Sequence, residues 1–372
     1  MSALISGRIK GGHMGPPLRK TGTSMTEISD TMRVAKYYNN RDVQIEEMPT
    51  PRILSTEVLV KVIASGICGS DVMEWYRIKK APLVLGHEIA GEIVEVGEDV
   101  KKYKIGDRVF VSHHVPCNTC QYCLRGHHTV CETLQNTNYD PGGFAEYIRV
   151  PSINVDRGIF LLPDEVSFEE GVFIEPLACV LRGQRIAGMS PGKSVLVLGS
   201  GISGLLHISL ARKTGAGRIV ATDINEGRLE LARKFGADNA IAADTDVTKE
   251  ARAAMGGRLA DIVIVSTGAI SAFIQGFRSV EKGGTVLFFA PTDPEMELAI
   301  PVNEFWKKGI TLVPSYGNSP LDAIEAIELI RAGEVNVKDM ITHRLPLAET
   351  ALGFKLVSEA GESVKVVIEP HV

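Results

Sequence analysis

The chain is poor in cysteine, has no excess of positive charge and lacks a long apolar run, and each shortage excludes a class of protein. Only six of its 372 residues are cysteine, too few and too clustered for a small secreted fold stapled by disulfides. Forty Lys and Arg stand against 45 Asp and Glu, a net charge of −5. That balance offers no broad basic field to nucleic acid and no polybasic segment to a membrane surface. The longest stretch without charge, Ser194–Ala211, holds three glycines, four serines and His207, which excludes a membrane span. The first 30 residues lack the continuous apolar core of a secretion signal. What remains is a soluble globular chain, 44% hydrophobic and 23% charged, long enough for about two domains. With no secretion signal, clustered thiols indicate metal in a reducing cytoplasm.

Residues 1–31 follow neither a strand nor a helix period and read as a disordered leader, with His13 solvated. From Val58 to Val111 short β-branched runs alternate with glycine-marked turns, a mostly β grammar. After Pro191 the grammar changes. Strands at Ser194–Leu198, Arg218–Asp223, Asp238–Ile241, Asp261–Val265 and Gly284–Phe289 alternate with helices at Leu205–Lys213 and Asn225–Phe235, which predicts a parallel sheet with right-handed crossovers. A helix at Leu321–Ala332 and a strand at Val364–Glu369 close the chain and could rejoin the first domain.

Three motifs carry chemistry. Gly199-Ser-Gly201-Ile202-Ser203-Gly204 follows a strand and opens a helix. Its glycines allow a tight turn, the approach of a pyrophosphate to the backbone, and close helix–strand packing, and the helix N-terminus favours the anion. Asp223 ends the next strand, where a carboxylate binds ribose hydroxyls and repels a 2′-phosphate, and no Arg follows it directly. NAD is therefore expected over NADP, with Arg228 as a further cofactor contact. Second, Cys117, Cys120, Cys123 and Cys131 lie within 15 residues, and four thiolates enclose a structural Zn²⁺ with no open position. His127 and His128 lie inside that loop as less favoured substitutes. Third, Cys68, the pair His87-Glu88, and Glu175 offer sulfur, imidazole and carboxylate, the mixture a catalytic zinc uses when it keeps one position open.

Gly86-His87-Glu88-x2-Gly91-x5-Gly97-x2-Val100, preceded by Gly66-Ile-Cys-Gly-Ser-Asp71 and followed by the cysteine lobe and the glycine turn, resembles the zinc-dependent medium-chain dehydrogenase/reductase family. Ile174-Glu-Pro-Leu177 resembles its polyol, sorbitol dehydrogenase-like branch. The resemblance implies an α/β fold: a Rossmann doubly wound parallel sheet (183–319) plus a mostly β, GroES-like catalytic domain (32–182, zinc lobe 113–135) that the tail (320–372) rejoins. It implies Cys68 and His87 as ligands of a catalytic zinc and Glu88 or Glu175 as a third ligand or its partner. Ser70 would bond the substrate hydroxyl, and Asp71 would orient the zinc shell. Where many relatives carry a relay histidine this chain has Met73, leaving the nicotinamide ribose and water, or Glu74, as the proton's exit. Trp75, Tyr76 and Arg77 are candidate substrate contacts within Glu74–Lys80, whose three cations could recognise phosphate or carboxylate, against the favoured reading of the segment as a solvated run. His113, His114, His207 and His343 read as structural or exposed, and Cys179 as a packed thiol. The implied reaction is NAD-dependent oxidation of a polyol or sugar derivative by a cytoplasmic homodimer or homotetramer, its interface near Gly284–Val313. The rivals are threonine-type and sugar-alcohol-phosphate dehydrogenases, and a zinc-stabilised nucleotide sensor without turnover.

Overall fold

The computed structural model describes residues 28–372. The expected leader lies outside the described residues up to position 27, and Thr31 already opens the first strand, Thr31–Asn39. Six parallel strands form one sheet in the order Asn239–Ala242, Arg218–Asp223, Ser194–Leu198, Ala260–Val265, Val280–Phe288, Thr311–Pro314. Val195–Leu198 and Ile262–Val265 are buried throughout, as strands covered by helices on both faces must be. The strand order reverses beside Ser194–Leu198, so the crevice beyond its carboxyl end lies directly above Gly199.

A seven-stranded sheet carries the rest, ordered Ile341–Pro346, Lys365–Glu369, Val58–Gly66, Glu88–Val96, Arg108–Val111, Ile159–Leu161, with Tyr147–Val150 also paired to Val58–Gly66. The tail strand pairs antiparallel with Val58–Gly66 at Val367↔Gly66 and Ile368↔Ser65. A three-stranded sheet of Asp42–Pro49, Thr31–Asn39 and Leu83–Val84 flanks it. The helix Ile174–Ile186 runs without a break between the two large sheets. Its Leu177, Ala178 and Val180 share one buried cluster with Ala64 and Phe110 on one side and Val195 and Ile264 on the other. The division expected at 182/183 therefore falls inside a continuous helix.

The helix expected from Leu205 begins earlier, at Ile202. Gly201 is extended and serves as its N-cap, and Ser203 and Gly204 form its first turn. Helix propensity undervalues these residues, because their task is to bring the helix end close to the preceding strand.

Candidate active site

Antiparallel pairing of Gly66 with Glu88 sets the end of one central strand beside the start of its neighbour. Cys68 follows the first strand and His87 precedes the second, and ligand atoms of Cys68, His87 and Glu88 all lie within 4.8 Å of one another. Asp71, fully buried, organises this corner. Its Oδ2 accepts from the Cys68 N–H at 3.1 Å, and its Oδ1 stands 3.3 Å from His87 Nδ1 and 3.4 Å from Arg77 Nη2. A carboxylate on Nδ1 fixes the tautomer that leaves Nε2 free as a ligand. Burial works against charging His87, but the negative charges of Asp71 and Cys68 outweigh it and hold the imidazole well above its usual pKa. The same field favours a divalent cation at this point.

Glu88 is buried and ion-paired with Lys365, itself fully buried over the Phe173 ring. A Cβ at Gly66 would run into that pair, so glycine is required where the strands meet. Glu175 lies outside the group of three. Its Oε1 accepts from Asn318 Nδ2 at 3.3 Å and from Cys179 Sγ at 3.4 Å. Burial, opposed by His87 and reinforced by Glu88, raises its pKa. Cys179 is engaged by Glu175 and Asn318, in keeping with a packed thiol.

Ser70 donates its N–H to Cys68 Sγ at 3.4 Å. Its Oγ accepts from Arg77 Nη2 at 3.1 Å and its carbonyl from Arg77 Nε at 2.9 Å. The reading of Glu74–Lys80 as a solvated run is corrected here for Arg77. The short helix Glu74–Arg77 turns that side chain back over Cys68–Asp71, where only 16% of it is exposed. Met73 precedes this helix and Glu74 is exposed. His113, read as structural or exposed, is a buried side chain at the rim of the site. Its ring lies 4.9 Å from the His87 ring, so it borders the site. Burial and the neighbouring charges of His114 and His87 keep it far below its usual pKa, hence neutral. Its Nδ1 is buried with no partner among the described residues.

The sulfurs of Cys117, Cys120, Cys123 and Cys131 form the second cluster, also within 4.8 Å of one another. His127 and His128 are not part of it. Backbone N–H groups of Thr119 and Cys120 point at Cys117 Sγ from 3.5 and 3.2 Å and lower that thiol to about 5. Four soft donors, one already favouring the thiolate, suit tetrahedral zinc.

At the dinucleotide turn Gly199 has φ +94°, and a Cβ at Gly204 would collide with the Gly199 carbonyl. Both glycines are thus demanded by geometry. Asp223 accepts the Ser200 N–H at 2.8 Å on one oxygen and the Asn225 N–H at 3.0 Å on the other. Each oxygen keeps a lone pair for a ribose hydroxyl. Arg228, on the helix Glu226–Lys234, overhangs the turn: its Nη1 is 3.9 Å from where a Cβ at Gly201 would stand. Its Nη2 donates to the Ser363 carbonyl at 3.3 Å, and its Nε is buried without a partner among the described residues. Ile202 and Ser203 begin the helix whose N-terminus faces this space. The residues fit a dinucleotide.

Residues 55–161 match the family described as the alcohol dehydrogenase GroES-like domain, and residues 203–332 the family described as zinc-binding dehydrogenase. Sorbitol dehydrogenase of Bacillus subtilis (strain 168) is 33% identical over 361 residues, covering 92% of this chain and 99% of its own. L-threonine 3-dehydrogenase of Bacillus licheniformis is 34% identical, covering 87% and 94%. A zinc-binding dehydrogenase of Sinorhizobium meliloti 1021, solved with NADP bound, superposes with a TM-score of 0.82 at 27% identity, over 92% of this chain and all of that one. The chain belongs to the zinc-binding, medium-chain alcohol dehydrogenase family, oxidoreductases that work with zinc and a nicotinamide dinucleotide.

Proposed function

We propose that this protein oxidises a secondary hydroxyl of a polyol or sugar derivative with NAD⁺. Residues 32–182 and 320–372 form the alcohol site, and 183–319 the dinucleotide site. The observation that carries the reading is the convergence of sulfur, imidazole and carboxylate ligand atoms within 4.8 Å at Cys68, His87 and Glu88. The carbinol carbon loses a hydride to the nicotinamide and its oxygen loses a proton, leaving a ketone, NADH and H⁺. Bound zinc supplies Lewis-acid polarisation of the alcohol, and bound NAD⁺ accepts the hydride. Cys68 and His87 hold the metal, with Glu88 or Glu175 as the carboxylate that completes or adjusts its shell, and the four lobe cysteines hold a second, structural zinc. Asp71 keeps His87 in register. Ser70 Oγ relays the hydroxyl proton, receiving it as its own O–H passes a proton on. Met73 has no acceptor to offer, so that proton passes to water.

Asp223 takes the adenosine ribose and disfavours a 2′-phosphate, which supports NAD⁺ here although one structural neighbour holds NADP. The names of the relatives favour a polyol, with a threonine-type amino alcohol as the second reading. The edge strand Thr311–Pro314 and the exposed Trp306 and Val302 beside it support a homodimer or homotetramer. No helix among the described residues is long and apolar enough to cross a membrane. Six free thiols support the cytoplasm.

The test is NADH formation from polyols and threonine by zinc-loaded protein. Cys68→Ser should abolish turnover while NAD⁺ still binds. Full activity in a rigorously metal-free sample, or NAD⁺ binding with no turnover of any alcohol, contradicts the reading; the latter is the behaviour of a sensor.

A further inference from the structure

One edge of the Arg77 guanidinium is wholly taken up by Ser70 and Asp71. Nε donates to the Ser70 carbonyl at 2.9 Å, Nη2 donates to Ser70 Oγ at 3.1 Å, and Asp71 Oδ1 stands 3.4 Å from the same Nη2. Nε and Nη2 lie along one side of a rigid plane, so that side grips the carbonyl and the hydroxyl of a single serine. The Tyr76 ring, 4.6 Å from the guanidinium carbon, steadies the plane. The backbone prepares this clasp. The Asp71 N–H bonds the Cys68 carbonyl at 3.0 Å and the Arg77 N–H bonds the Met73 carbonyl at 3.1 Å, a tight turn followed by a helical one. Fixing so long a side chain gives up much rotamer freedom, and its bonds converge on the loop that carries Cys68 and Ser70.

We propose that Arg77 is a positioning residue for the proton step, fixing Ser70 Oγ as a one-way relay instead of touching the substrate. The proposal rests on the dehydrogenase reading and concerns how that same site moves its proton. A serine hydroxyl has one O–H and two lone pairs, and an unconstrained one rotates among partners. Arginine stays protonated and offers no acceptor, so toward Arg77 the Oγ always accepts. That fills one lone pair and sets the rotamer. The second lone pair accepts from the alcohol, and the O–H donates to water. In the reaction the alcohol O–H bond breaks as a new Oγ–H bond forms, and the original Oγ–H bond breaks as its proton goes to water. The carbinol C–H electron pair leaves with its hydrogen as hydride to NAD⁺. Negative charge building on Oγ during the exchange meets a charge-assisted bond from Arg77. Met73 carries no proton, so direction comes from the partners of Ser70 itself, and among the described residues Arg77 is the one bonded to its Oγ.

The experiment is a double-mutant cycle in zinc-loaded enzyme, with NAD⁺ and whichever of D-sorbitol, xylitol and L-threonine the wild type turns over fastest. Arg77→Met should lower kcat by about tenfold or more, with zinc content and KM for NAD⁺ unchanged. Ser70→Ala should lower kcat further. Adding Arg77→Met to Ser70→Ala should slow it by less than about twofold, because the arginine acts through Ser70 Oγ. The solvent deuterium isotope effect on kcat should rise in Arg77→Met, as the proton hand-off becomes rate-limiting, and Arg77→Lys should recover part of the rate. Losses that multiply in the double variant overturn the proposal, since they are what a residue that only holds the loop would give. An unchanged isotope effect in Arg77→Met, or a kcat within about twofold of wild type, overturns it as well. Should Arg77→Met fail to fold, the same cycle on Arg77→Lys decides, since its smaller loss must likewise vanish beside Ser70→Ala. Absence of turnover with any alcohol in the wild type would instead defeat the dehydrogenase reading, and this proposal with it.

Discussion

Glu88 and Lys365 are 277 positions apart in the chain and share a buried ion pair at the strand junction beside Cys68. Removing one partner of such a pair leaves a charge stranded in a low dielectric. Lys365→Met should therefore cost about 3–5 kcal/mol in urea unfolding, and adding Glu88→Gln should recover much of it. A loss under about 1 kcal/mol for Lys365→Met alone would show that Glu88 finds another partner. At the other site, Asp223→Ser with Ile224→Arg should raise KM for NAD⁺ by about tenfold or more and improve use of NADP⁺. Unchanged preference would mean that Asp223 does not read the ribose. At this scale the sequence was informative wherever chemistry is local. Cys68, His87-Glu88 and the four lobe cysteines announce themselves by spacing. Lys365, Asn318 and His113 do not, because what gives each a role is a neighbour on another strand or helix. Arg77 was named as a candidate substrate contact, but its place in a run with Lys79 and Lys80 hid the bonds that pack it over Ser70 and Asp71.

Among the elements, the helix Ile174–Ile186 meets the helix Ile202–Lys213 through a buried polar contact. Gln184 Nε2 donates to the His207 carbonyl at 2.7 Å and lies 3.3 Å from its Nδ1. Burial lowers the His207 pKa to about 3. The unfolded chain takes up this proton below about pH 6.5 while the folded chain refuses it until about 3, so stability is lost as pH falls through that window. Between pH 6.5 and 5 the unfolding free energy of His207→Asn should fall less steeply than wild type, by about 1 kcal/mol per unit. Parallel slopes would place the acid sensitivity elsewhere. The cysteine lobe has short helices and a small buried cluster of its own, Cys123, Cys131 and Leu134, so its order should depend on metal. Chelation should raise hydrogen exchange across residues 113–135 well before the parallel sheet responds. Equal protection with and without metal would contradict a zinc-dependent lobe.

For the whole molecule, the alternation of strand and helix after Pro191 was enough to foresee a parallel sheet, because each βαβ unit is closed locally. The seven-stranded sheet was harder. Its order joins Lys365–Glu369 to Val58–Gly66 across most of the chain, and no local pattern encodes that pairing. Nor did composition reveal the unbroken helix between the sheets, since an apolar run reads alike within one domain or across two. The consequence is a single molecule in which the tail strand supplies the cation behind Glu88, and Asn318, after the last parallel strand, reaches Glu175. The central claim is that Cys68, His87 and a neighbouring carboxylate grip a metal beside the dinucleotide crevice. A zinc anomalous difference map of zinc-loaded crystals tests it directly. Two peaks per chain are expected, one enclosed by Cys117, Cys120, Cys123 and Cys131 and one in contact with Cys68 Sγ and His87 Nε2. A map with no peak at Cys68 and His87 would contradict the account.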